Sequence, residues 1–267
     1  YQRSRGLGDV YKRQGLDVKS MSGTSTKVFI LEVMGRHAGW IAAASCLAAS
    51  NQGDPPHIIL LPEIPFERNK FIARVKKTVK KYGYCVIVAS EGTKTKAGKF
   101  LADSGLTDAF GHKQLGGVAP VISSMVSKIG LKNHWAVADY LQRSARHIAS
   151  KTDLDQAYAV GVEAVKLAVA GKTAVIPVIK RLSDSPYKWQ IGTAPLKNIA
   201  NIEKSVPRKF ISKDGFAVTS AGRRYLNPLI QGEAPTSFKH GMPEVALLKK
   251  SFAVSYTHLT LPTKVRV

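Results

Sequence analysis

Four short apolar runs set the tightest limit on what this chain can fold into. Val28-Phe29-Ile30-Leu31-Glu32-Val33, Ile58 to Leu61, Cys85 to Ala89 and Ala174 to Ile179 are dense in β-branched and large aliphatic side chains. A strand reads this way when both of its faces are buried, which requires helices on each side of a parallel sheet. The segments between the runs supply those helices. Gly39-Trp40-Ile41-Ala42-Ala43-Ala44 is an Ala-rich helix, and Phe71, Ile72, Val75 and Val79 recur at helical spacing with lysines opposite. Pro65 suits the first turn of that second helix. Val121 to Ile129 reads as a helix and Trp135 to Ala138 as a short strand. Thr152 and Asp155 form a capping-box-like start for a helix whose apolar face is Ala157, Val160, Ala164 and Leu167, stopped by Gly171. The expected fold is α/β, a mainly parallel sheet flanked by helices. No internal repeat and no Pro/Ser-rich linker divides it.

The two ends do not share this pattern. Asp9 to Gln14 can be encoded by GAT GTG TAT AAG AGA CAG, and the reverse complement of that string, in a shifted frame, encodes Val254 to His258. It resembles the end sequence of a transposase-based sequencing adaptor. Residues 1–14 and 254–267 are therefore expected to be adaptor-derived scars, leaving 15–253 as the native segment.

The chain carries a formal charge of +22; setting aside the six cations and one acid of the two ends leaves +17. Such a surplus concerns partners and solubility, not fold. It is spread along the chain rather than gathered into a stripe, which favours a solvated surface over a docking site for nucleic acid. No apolar run approaches the ~20 residues of a membrane-spanning helix. Cys46 and Cys85 sit inside apolar stretches and read as buried free thiols, which points to a reducing cytoplasm.

In open parallel sheets ligands bind beyond the carboxyl ends of the strands, which groups Met34-Gly35-Arg36, Glu91 and the segment after Ala138. Arg36 lies between a buried strand and a new helix whose free N–H groups favour an anion, although an arginine there can also merely cap the sheet edge. Glu91 can accept hydrogen bonds from sugar hydroxyls, act as a base, or simply pair with a lysine. Tyr140-Leu141-Gln142-Arg143, with Arg146 and His147, is the densest polar cluster at a strand end. An arginine fork there suits phosphate oxygens; a basic helix start on the surface is the plain alternative. His134 and His147 have no partner at metal-ligand spacing. Gly92 through Gly98-Lys99 has five residues between its glycines and ends in Phe100, so it fails the phosphate-loop pattern and reads as a mobile surface loop.

The stretch Thr26 to Trp40, which contains Val33-Met34-Gly35-Arg36-His37-Ala38-Gly39, closely resembles phosphofructokinases. Asp139-Tyr140-Leu141-Gln142-Arg143-Ser144-Ala145-Arg146-His147 resembles the pyrophosphate-dependent subfamily, and the resemblance extends over 15–253. It implies that Met34, Gly35 and Arg36 contact fructose 6-phosphate, that Glu91 binds its sugar hydroxyls, that Tyr140 and Arg143 hold its 6-phosphate, and that Leu141 and Gln142 between them are also substrate-binding. It further implies that Lys27, and at a second position His134, face a neighbouring subunit's site in a homo-oligomer. Gln142-Arg143-Ser144-Ala145 replaces the Gln-Arg-Gly-Gly of many ATP-dependent members, which favours pyrophosphate over ATP as donor. The family's Thr-Ile-Asp-Asn-Asp motif and donor loops are not in this sequence. No catalytic residue is therefore expected here, Mg²⁺ would be held in the parent by groups outside this chain, and the chain alone should not turn over. A basic nucleic-acid-binding protein and a non-catalytic sugar-phosphate binder are the competing readings.

Overall fold

The computed structural model describes residues 17–23, 25–107, 113–115 and 117–245. Both expected scars lie outside the described residues. The chain groups into one body ending at Pro235 and a small unit from Thr236 onward.

The larger body is built on a four-stranded parallel sheet of β1 (Val28–Val33), β2 (Ile58–Leu60), β3 (Cys85–Ser90) and β6 (Asn133–Val137). Its order is β2-β3-β1-β6. Between these strands come α1 (Trp40–Ala44), α2 (Arg68–Tyr82), the short antiparallel pair β4 (Asp103–Thr107) and β5 (Lys113–Leu115), and α3 (Val118–Ser127). Then follow α4 (Leu141–Ser144), α5 (Lys151–Val169), β7 (Val175–Asp184), β8 (Tyr187–Pro195) and α6 (Ser220–Leu226). The unit from Thr236 holds a two-residue hairpin, β9 (Phe238–Lys239) with β10 (Met242–Pro243).

Every residue of β1 and β3 is buried. The period-two alternation of a strand divides them between two cores. Val28 and Ile30 pack with Phe71 and Val75 of α2 and with Ile122 and Val126 of α3. Phe29, Leu31 and Val33 pack on the opposite face with Trp40 and Ala43 of α1 and with Phe210 and Leu226. Fully burying one such side chain contributes about 1.5–3 kcal/mol, so a strand covered on both sides is strongly specified. Both cysteines are buried and free, and burial raises both thiols, that of Cys46 to about 12.

Several boundaries differ from those expected. Ala174 to Ile179 does not join the parallel sheet: β7 and β8 form an antiparallel hairpin with mostly half-buried or exposed side chains. Along the apolar run Ile176, Pro177 and Val178 are half-buried while Ala174, Val175 and Ile179 are exposed, so the run lacks the burial on both faces that β1 and β3 have. The capping residue of α5 is Ser150, whose Oγ accepts from Asp153 N at 3.1 Å; Thr152 Oγ1 instead donates to Gln231 O and Asp155 pairs with Lys151. The expected apolar face of α5 is only partly covered: Ala157, Val160 and Leu167 are half-buried and Ala164 is exposed. The second helix begins at Arg68, beyond Pro65. α3 begins at Val118 and carries Pro120 in its first turn, where a missing N–H costs nothing. The Gly92–Phe100 loop is tied by Thr95 N donating to Lys99 O and Leu101 N donating to Thr93 O, a tight turn stitched to β3. Among the described residues no helix is long and apolar enough to cross a membrane.

Candidate functional site

The sheet changes direction between β1 and β3. The connection leaving β1 runs through α1 on one face, and the one leaving β3 runs on to α3 on the other. At such a switch point the loops part and leave a crevice beyond the carboxyl ends of the strands. Met34-Gly35-Arg36 leaves β1 on one side of it, and Glu91-Gly92 leaves β3 on the other.

The two loops are stitched together. Gly35 N donates to Glu91 Oε1 at 3.1 Å, and Ser90 Oγ donates to Gly35 O at 2.6 Å. Neither glycine has room for a side chain. A Cβ on Gly92 would lie 1.9 Å from Arg36 O, and one on Gly35, whose φ is +145°, would lie 2.5 Å from Ser90 Oγ. The backbone approach that places half-buried Arg36 beside half-buried Glu91 therefore depends on both glycines. Glu91 has one oxygen committed to this turn, so it pairs with backbone rather than with a lysine.

β6 completes the row, with Ala138 N donating to Glu32 O at 3.0 Å. Beyond it Asp139 adopts φ +38°, an uncommon conformation for a residue with a side chain. It turns the chain sharply into Tyr140 and α4. Tyr140 and Leu141 are exposed, and the Arg143 guanidinium lies 4.8 Å from the centre of the Tyr140 ring. Gln142 is the opposite: it is 5% exposed, and both Oε1 and Nε2 are buried without a hydrogen-bond partner among the described residues.

Glu32 lies beneath the crevice. Its Oε2 accepts from Ala119 N at 2.8 Å at the start of α3. Burial raises its pKa first of all, and repulsion from Glu91 and Asp139 adds to that, against the lowering effect of the Ala119 N–H. The acids at the ends of β1, β3 and β6 thus sense one another.

The structure brings Met34, Gly35, Arg36 and Glu91 together at one edge, with Tyr140–Arg143 following the adjacent strand end. It does not bring Lys27 to them. Lys27 precedes β1, so the length of the strand, ~20 Å, separates it from Arg36; its Nζ donates to Ser22 O. His134 pairs in register with Phe29 near the same far end and is exposed. Arg146 donates to Ala234 O at 3.0 Å and His147 is exposed, so neither joins the crevice. Sequence reasoning missed Glu32, Ser90 and Glu63. Each lies at or just beyond the end of a strand, where the Glu91 rule applied equally.

The phosphofructokinase family model matches residues 16–168, more than half of the chain. The chain belongs to the phosphofructokinase family. The chain is 59% identical over 255 residues to the pyrophosphate–fructose 6-phosphate 1-phosphotransferase of Halomonas elongata, covering 92% of the chain and 61% of that relative. It is 54% identical over 241 residues to the protein of the same name from Xanthomonas campestris, covering 89% of the chain and 58% of the relative. The crystal structure of a pyrophosphate-dependent phosphofructokinase from Marinobacter aquaeolei matches with a TM-score of 0.80 at 50% identity, covering 93% of this chain and 60% of that one. The chain thus spans about 60% of the length of these relatives. The parallel sheet and its flanking helices belong to a fold shared with that solved relative.

Proposed function

We propose that this chain is the sugar-phosphate-binding part of a phosphotransferase that phosphorylates the 1-hydroxyl of fructose 6-phosphate, with pyrophosphate as donor. The observation that carries the reading is the stitched crevice: an arginine, a carboxylate and a strained turn into Tyr140–Arg143, all at the carboxyl ends of adjacent parallel strands. In it Arg36 and Arg143 neutralise the 6-phosphate, since a guanidinium offers paired donors to phosphate oxygens. Tyr140 adds a hydroxyl donor. Glu91 spends Oε1 on Gly35 N and keeps Oε2 for sugar hydroxyls. Met34 and Gly35 bring backbone close to the sugar, and Leu141 covers it.

Transfer itself depends on aligning donor and acceptor and stabilising the moving phosphoryl charge. The residues described here position the acceptor only. Mg²⁺ would accompany the donor; among the described residues no three His, Cys, Asp or Glu side chains converge to hold it. Lys27 and His134, at the far end of the sheet, suit contacts to a neighbouring subunit's site in a homo-oligomer. The free buried thiols fit a cytoplasmic enzyme of glycolysis. Pyrophosphate is preferred to ATP because the names of the relatives above specify it and because Ser144-Ala145 stands where many ATP-dependent members carry two glycines.

The test is an assay of the uncut parent protein for fructose 1,6-bisphosphate with pyrophosphate or ATP. Turnover with pyrophosphate, and none by the present chain alone, is expected. Turnover with ATP alone overturns the donor assignment, and product formed by this chain alone overturns the division of labour.

A further inference from the structure

The turn that carries Arg36 is held at both ends by carboxylates. At its start Gly35 N donates to Glu91 Oε1, as described above. At its finish, four residues later, Gly39 N donates to Glu63 Oε1 at 2.9 Å. Glu63 follows Pro62 beyond the end of β2, so the two glutamates reach the turn from two different strand ends.

Glu63 does more than accept one bond. The same Oε1 also accepts from Val206 N at 2.8 Å. Trp40 Nε1, the next residue of the turn, donates to Lys204 O at 2.6 Å, and His37 Nδ1 lies 3.5 Å from a Glu203 carboxylate oxygen. Residues 203–206 therefore lie as a strap along His37–Trp40, with Glu63 as the shared anchor. Packing leaves no slack: a Cβ on Gly39 would meet Leu61 at 2.6 Å, Pro62 at 2.8 Å and Glu63 Oε2 at 2.9 Å. That Oε2 is buried with no hydrogen-bond partner among the described residues. An oxygen buried without a partner is costly, and here the other oxygen of the half-buried Glu63 ties three separate segments together.

We infer that Glu63 is a positioning residue for the sugar-phosphate site, acting through the 203–206 strap to fix the backbone from which Arg36 projects. Glu63 does not touch substrate. It sets where the Gly35–Gly39 turn ends, as Glu91 sets where it begins. The inference rests on the proposed fructose 6-phosphate site for its functional half, whereas its structural half concerns the strap alone.

The test separates the two. In the present chain, Glu63→Ala is expected to speed amide hydrogen exchange at 37–41 and 204–206 by about tenfold, because two N–H groups lose an acceptor. Glu63→Gln keeps an acceptor oxygen and is expected to restore most of the protection. In the uncut parent, Glu63→Ala is expected to raise KM for fructose 6-phosphate about tenfold while KM for the phosphoryl donor stays unchanged. Should Glu63→Ala fail to fold, Trp40→Phe removes the indole donor to Lys204 O and is expected to move the same quantities in the same direction. Unchanged exchange at both segments, or equal increases in both KM values, overturns the inference. A wild-type parent that ignores fructose 6-phosphate sinks the functional reading but leaves the exchange result to decide the strap.

Discussion

Replacing Asp153 by Asn should stabilise the protein at neutral pH and do nothing in acid. Asp153 sits in the first turn of α5, is 9% exposed, and leaves Oδ2 without a partner among the described residues. Burial pushes its carboxyl from 3.8 up to about 6. The folded state therefore holds the proton more tightly than the unfolded chain. Stability contributed by the protonated form is complete below pH ~4 and is lost as pH rises through 6. A gap of about two pH units corresponds to about 3 kcal/mol. The helix N-terminus returns roughly 0.3–1 kcal/mol to the charged form, which Asn forgoes. A net gain of about 2 kcal/mol at pH 7.5 should raise Tm by roughly 4–8 °C in a chain of this size. The backbone bond from residue 153 to Ser150 Oγ survives the change, so the cap is intact. Urea unfolding of wild type and D153N from pH 3.5 to 8 measures the difference directly. The curves should coincide near pH 3.5 and part between pH 4 and 6. A variant that is less stable at pH 7.5, or equally shifted at every pH, refutes the reasoning.

His57 acts in the opposite direction. Its Nδ1 accepts from Val86 N at 3.0 Å and its Nε2 faces Gly53 O at 3.1 Å, so the neutral ring is specified, and burial lowers its pKa to about 4. Stability from the neutral ring is present above pH 6.5 and is lost as pH falls through 4, by up to about 3 kcal/mol; D153N should therefore show a steeper acid loss than wild type, whose two groups offset one another. Gly92→Ala should destabilise by more than ~3 kcal/mol, since its Cβ would lie 1.9 Å from a backbone oxygen; calorimetry showing a change under ~1 kcal/mol contradicts the close approach of the two loops. Arg143→Ala in the uncut parent should weaken fructose 6-phosphate binding by about tenfold to a hundredfold and leave Tm nearly unchanged, because the guanidinium rests on exposed Tyr140 rather than in the core; calorimetric titration decides it.

The parallel sheet was legible because burial on both faces leaves its mark in composition: β1 and β3 are apolar at every position but Glu32 and Ser90. Those two exceptions are the residues that reach into the crevice floor and across to Gly35. The hairpin of β7 and β8 was not legible, since six apolar residues read alike whether a strand is enclosed or half-exposed. What distinguishes them is whether a helix covers the second face, and that is a tertiary fact. The start of α5 was misplaced because Thr152 and Asp155 have the capping spacing, yet Ser150 lies where the backbone first turns. In the site, Arg36 and Arg143 stand out as charged residues within the segments that leave β1 and β6, and Glu91 as a charged residue directly after a strand. Glu63 also follows one, but its role depends on Val206, which is 143 residues distant in sequence. No spacing rule connects such a pair.

The most direct test of the sugar-phosphate site is a crystal structure of the uncut parent with fructose 6-phosphate. The 6-phosphate should lie within hydrogen-bond distance, about 2.7–3.2 Å, of both Arg36 and Arg143, with a sugar hydroxyl on Glu91. A hexose phosphate bound elsewhere, with Arg36 and Arg143 turned away from each other across the assembled molecule, would contradict it.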